Sequence, residues 1–190
     1  MNPQDFRRFY LGTLALNFLA TFGRRSSERI ERIPTPAHFG RWLVAADLLD
    51  PADAKPSARH YGEAIALREA IYRAVTATTA GNAPRKSDIE RINACAASSR
   101  RGAAQLDPKT LRAQWHAAEP VRGALARIAD DAIATLGSPE TRKRLSLCEG
   151  QGCAIPVLSA SRGAQRRWCS MQTCGNTAKV AAHRKRARAS

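Results

Sequence analysis

Cys148-Glu149-Gly150-Gln151-Gly152-Cys153 and Cys169-Ser170-Met171-Gln172-Thr173-Cys174 stand fifteen residues apart, giving the spacing C-x4-C-x15-C-x4-C. Two short cysteine pairs each offer two sulfurs from a tight turn, which is what a closed tetrahedral site needs. Gly150 and Gly152 let the first turn curl so that both its sulfurs face inward. Ala154 to Trp168 is long enough for a hairpin with its tip at Ser161-Arg162-Gly163. After Gly175 a helical run extends from Thr177 to about Arg188, with Asn176 suited to cap it. Knuckle, hairpin, knuckle and helix is the layout of treble-clef and zinc-ribbon modules. The expectation is one structural zinc ion on Cys148, Cys153, Cys169 and Cys174, with no position open to substrate. The competing reading, two disulfides, requires an oxidising compartment. Metal also supplies what some fifty polar residues lack, a core.

The same segment carries most of the charge. From Thr141 to Ser190 eleven Lys/Arg face a single acid, Glu149, a net of +10 out of the chain's +15. Arg162, Arg166 and Arg167 fall between the cysteine pairs, beside Trp168. Lys179, His183, Arg184, Lys185, Arg186 and Arg188 crowd the last helix. Val180 and Ala181 are expected to face the zinc module and leave these cations outside. Such a surface attracts polyanions, and each phosphate contact makes binding salt-dependent. The expected contact residues are Arg162, Arg166, Arg167, Lys179, Arg184, Lys185, Arg186 and Arg188, and the expected partner is DNA. A basic face that meets RNA or an acidic protein is the alternative.

Upstream the chain reads as helical, residues 1–137 forming one domain and 138–190 the finger. Phe9 to Phe22 mixes strand and helix periods and stays open. Thr35 can cap a helix with Pro36 at its first position and Phe39, Trp42, Leu43 and Ala46 as its stripe, ending near Asp50-Pro51. A second helix spans about Ser57 to Thr79, with Tyr61, Ile65, Arg68, Tyr72 and Val75 inward and Gly81 as its stop. Ser87-Asp88-Ile89-Glu90 reads as a capping box opening a third. Gly102 to Ala117 suits a short hairpin. Pro120 opens the last long helix, and Ser138-Pro139-Glu140 a short turn of helix. The fold class expected is mainly α with small β elements.

Arg166-Arg167-Trp168-Cys169-Ser170-Met171, Cys174-Gly175-Asn176 and Lys179 resemble the signature of the CGNR zinc finger, as does the spacing of all four cysteines. Leu14-Ala15-Leu16-Asn17-Phe18, Trp42-Leu43 and Leu67-Arg68-Glu69-Ala70-Ile71-Tyr72 are similar to the ABATE domain that precedes such fingers. The resemblance covers essentially the whole chain and implies a bacterial, stress-linked regulator of transcription. Three positions depart from the family pattern: Thr177 replaces Arg, Ser159 replaces Asp and Asn17 replaces Asp. The first two together suggest a lost ion pair.

Arg68 on an apolar helix face needs an acceptor. A small anionic effector near Arg68 and Asn17 is one reading; an internal hydrogen bond or a snorkelling side chain is the other. No nucleotide loop, nucleophile elbow or His-Glu-x-x-His motif is present, and His38, His60, His116 and His183 are scattered. Catalysis is therefore not expected. The Phe9–Phe22 run is too short to span a bilayer and lacks a cleavage site. A cytoplasmic protein without membrane contact is expected, its oligomeric state open, a homodimer included.

Overall fold

A computed structural model of the chain describes residues 10–98, 103–108, 110–111, 113–116, 119–160, 163 and 165–187. Helices dominate. The open segment resolves as a short helix, α1 (Leu14–Leu19), capped by Thr13, whose Oγ1 accepts the Leu16 N–H at 3.3 Å. Its Ala15 N–H donates to Asp131 at 2.7 Å, so a first-turn amide is satisfied from a distant helix. The chain then straightens into β1 (Phe22–Gly23), paired antiparallel with β2 (Ile30–Glu31).

Helix α2 (Pro36–Ala45) starts as expected, with Thr35 Oγ1 accepting from His38 N–H and Pro36 in the first turn. It stops earlier than Asp50-Pro51. Asp47 turns left-handed (φ +52°), and Leu48 N–H bonds back to Leu43 O at 3.0 Å while Asp47 N–H reaches Val44 O. That is a Schellman closure with an aspartate where glycine is usual, sealed by buried Leu43 and Leu48. Helix α3 (Ala58–Thr79) opens with a reciprocal cap between Ser57 and His60 and closes on Gly81 at φ +75°. Its fully buried face is Ala64, Leu67, Arg68, Ala70, Ile71, Ala74 and Val75; Tyr61, Ile65 and Tyr72 are only half-buried. The small residues let neighbouring helices approach closely.

Helix α4 (Lys86–Ala97) corrects the proposed capping box. It begins before Ser87, and Asp88 sits in its first turn, buried and paired with Arg73 of α3. An interhelical ion pair has taken the acid that the local pattern assigned to a cap. Strands β3 (Ala103–Leu106) and β4 (Ala113–His116) form the expected hairpin. Helix α5 (Pro120–Gly137) buries Val121, Leu125, Ile128 and Ala132 against α1, α3 and α4. Helix α6 (Pro139–Arg142), capped by Ser138, leads to the cysteine-rich end.

The core does not stop there. Phe18, Phe39, Trp42, Leu67, Ile71 and Ile128 belong to one buried cluster with Leu145, Cys148, Cys153, Ile155, Val157 and Cys169. Among the described residues no helix is long and apolar enough to cross a membrane.

Candidate metal centre and basic face

Strands β5 (Leu145–Leu147) and β6 (Pro156–Leu158) pair antiparallel and carry the first cysteine turn between them. This hairpin spans the first cysteine pair, and the tip of the one expected between Ala154 and Trp168, at Ser161-Arg162, lies outside the described residues. Cys148 N–H donates to Ile155 O at 2.9 Å, and Cys153 N–H to Gly150 O at 2.9 Å, closing the knuckle. Gly152 lies at φ +69°. A Cβ on Gly150 would sit 2.5 Å from Cys174 Sγ, so only glycine lets the two pairs meet.

Cys169 ends an extended run, and Cys174 lies within a π-turn (Met171–Gly175) that passes directly into α7 (Asn176–Ala187). Asn176 has helical dihedrals, φ −63° and ψ −44°, so it is not the N-cap expected of it. The π-turn already provides the preceding helical backbone.

The four sulfurs lie within 4.8 Å of one another, with Cys153 and Cys169 at 3.7 Å and Cys169 and Cys174 at 3.5 Å. None of the four is joined in a disulfide. A disulfide would need about 2.05 Å, whereas a tetrahedron with Zn–S near 2.3 Å has edges of roughly 3.8 Å. The donor set and its spacing fit one structural zinc ion. Gly150 and Cys169 N–H groups donate to Cys148 Sγ at 3.4 and 3.2 Å. The crowding couples the protons. Hydrogen bonds from Cys153 and Cys169, with those amides, hold the Cys148 thiol down to about 2. The thiol of Cys153 is pushed up to about 12 by its bond to Cys148, and that of Cys169 is raised by both neighbours. Sulfurs that cannot ionise together without a cation release protons when a dication binds.

The helical body grips this centre. Leu158 N–H donates to Leu11 O at 2.9 Å, Tyr72 OH to Ala154 O at 3.4 Å and Ser26 N–H to Gly152 O at 3.3 Å. Arg32, half-buried, has its guanidinium pKa lowered by desolvation, with Cys153 and Cys169 pulling the other way.

The eight expected contact residues separate into groups. Arg166 is not available as a contact: it donates to Trp168 O at 2.9 Å, Cys169 O at 2.6 Å and Tyr10 O at 3.0 Å, pinning the second knuckle to the body. Arg167 is exposed but paired with Glu149 at 2.7 Å, which raises its pKa, and lies 4.9 Å over Trp168. Lys179, Arg184 and Arg186 are exposed on α7. The side chain of Lys185 and the whole of Arg162 and Arg188 lie outside the described residues. Val180 and Ala181 do not face the zinc module: Val180 is 50% exposed. Helix α7 leaves Cys174 as a cantilever, packing chiefly on the turn from which it grows.

The two residues considered for an effector do not form one site. Arg68, 2% exposed, donates to both Glu31 oxygens at 2.9 and 2.6 Å, to Thr21 and to Glu69. An anion there would have to displace Glu31. Asn17 accepts the Leu11 N–H at 2.7 Å and borders an open groove of about 1270 Å³ that Arg68 does not line. Ser159 is buried, accepting from Arg166 N–H, while Thr177 is exposed and donates to Thr173 O. Burial pushes the Cys95 thiol up to about 11, which suits packing and not nucleophilic attack. Sequence reasoning missed Arg32 and the Ser26 and Tyr72 contacts. No local pattern announces a contact made more than eighty residues away.

The family model described as "Putative stress-induced transcription regulator", ABATE, matches residues 12–139. That of the CGNR zinc finger matches residues 144–187, spanning all four cysteines. No curated protein matches the chain. With some two thirds of its length in the first match and its sulfurs gathered by the second, the chain belongs to the ABATE family and carries a CGNR zinc finger.

Proposed function

We propose that this protein is a cytoplasmic, non-catalytic regulator of transcription that binds DNA through its finger. In this reading residues 1–137 form a regulatory body and 138–190 the part that meets nucleic acid. The observation that carries it is α7: a helix anchored at one end by a zinc turn, with Lys179, Arg184 and Arg186 exposed on its surface. A free helix of this diameter fits a major groove, and its cations suit the flanking phosphates. Zinc acts by holding the helix at a defined angle, not by touching the ligand.

The test is binding of the full-length, zinc-loaded chain to a mixed-sequence duplex across a salt series. Affinity that falls steeply with salt, and disappears with a chelator, supports the reading. Indifference to DNA overturns it. The exposed Met171 and Val180 favour a second reading, a protein-interaction module on the same helix. Under it DNA would not bind, and substituting Val180 with Asp would abolish partner capture.

A further inference from the structure

The loop between β1 and β2, Arg24-Arg25-Ser26-Ser27-Glu28-Arg29, is seated on the first zinc knuckle. Ser26 N–H and Ser27 OH both donate to Gly152 O at 3.3 Å, and the Arg24 guanidinium reaches Gln151 O at 3.5 Å. Gly150 of the same knuckle abuts Cys174, where the chain turns toward α7. The loop is therefore fixed relative to the basic helix, though it belongs to the other matched family region.

Its backbone is strained. Arg24 lies at φ +48° and Arg29 at φ +53°, the left-handed region that glycine and asparagine enter most readily. Across the contact, Gly152 meets the same demand with glycine, at φ +69°. Strain held by a costly residue type is a reason to ask what the side chain does. Arg25 is spent inside, clamped on Glu69 and stacked 3.8 Å over Tyr72. Arg24 is shared with Glu28 at 3.4 Å. Arg29 is exposed, its guanidinium stands 5.9 Å from the centroid of the Phe22 ring, and it has no acidic partner among the described residues.

We infer that this loop is part of the nucleic-acid surface: Arg29, supported by Arg24, contacts the phosphate backbone of duplex DNA next to the groove that α7 enters. The inference rests on the DNA-binding reading above. It makes the interface composite, with the body contributing a phosphate clamp and the finger the helix.

The experiment uses full-length zinc-loaded protein, a mixed-sequence duplex and a salt series, with wild type, Arg29→Gly and Arg184→Gln. Arg29→Gly relieves the backbone and removes the cation. It should leave the melting temperature unchanged or higher, weaken binding about fivefold at low salt, and lower the salt slope by about 0.9, the share of one phosphate contact. Should glycine lower the melting temperature, Arg29→Lys against Arg29→Gln isolates the charge, and only Gln should weaken binding. If Arg184→Gln weakens binding while neither Arg29→Gly nor Arg29→Gln does, the inference is overturned and the DNA reading stands. If wild type shows no salt-dependent binding, both fall.

Discussion

Around α3 the chain buries Leu67, Ile71, Ala74 and Val75 side by side, and Phe18, Phe39 and Trp42 meet with ring centroids 5.0 to 6.3 Å apart. Around the four cysteines it buries little beyond sulfur, Leu145, Ile155 and Val157. One region is held by apolar surface withdrawn from water, the other by convergence of donors on a point. Neither region is self-sufficient. The sulfurs belong to the same buried cluster as the aromatic rings, and the knuckle leans on Leu11, Ser26 and Tyr72 of the body. The finger is an extension of the core whose last wall is metal.

Removing the metal should have the largest effect. Structural zinc contributes roughly 10–16 kcal/mol in isolated finger peptides, so chelation should release the β5–β6 hairpin and lower the melting temperature of the whole chain. The sharpest readout is hydrogen exchange at the Leu158 amide, which is bonded to Leu11 O. Unchanged protection there in metal-free protein would break the picture of a shared core.

Phe18→Ala removes a fully buried ring from the other side of the comparison and should cost about 3–5 kcal/mol in denaturant unfolding. Zinc content should remain one per chain; a loss of metal would mean the body governs the finger more than the finger governs itself. Arg68→Met removes the cation paired with Glu31, leaves Glu69 to Arg25 alone and takes a donor from Thr21, and should cost about 3 kcal/mol. An unaltered stability would return Arg68 to the list of ligand-binding candidates. Gly150→Ala forces a methyl onto Cys174 and should weaken zinc binding on the order of tenfold, as disturbing the surroundings of a metal ligand does. Competition with a colorimetric chelator measures it.

The smallest effect concerns acid. Burial pushes the Glu69 carboxyl up, but hydrogen bonds and charge from Arg25 and Arg68 outweigh it and leave it below its ordinary value. A depressed folded value stabilises the protein above the ordinary carboxylate range and is lost as pH falls through it. Glu69→Gln should therefore flatten the acid limb of stability below about pH 4.5, by under about 1 kcal/mol because the group is partly solvated.

Local chemistry was legible where a residue acts on its own neighbours. Thr35 caps the helix it precedes, α3 and α6 begin beside Ser57 and Ser138, Gly81 ends α3, and four cysteines at paired spacing gather. It was illegible where a residue has two suitors. Asp88 looked like part of a cap until Arg73 from α3 claimed it, and Arg166 looked like a surface cation until three backbone oxygens did. The end of α2 was hidden because Asp47, not glycine, takes the left-handed turn.

By itself the sequence determined the helical class, the metal and its four ligands, and the basic character of the end, because periodicity, cysteine spacing and charge are properties of neighbouring residues. Tertiary structure alone decided which cations stay exposed, where Arg68 finds its partners and that the β1–β2 loop rides on the zinc knuckle. Those outcomes depend on competition between groups far apart in the chain, and a buried guanidinium goes to whichever acceptor the packed core brings within reach.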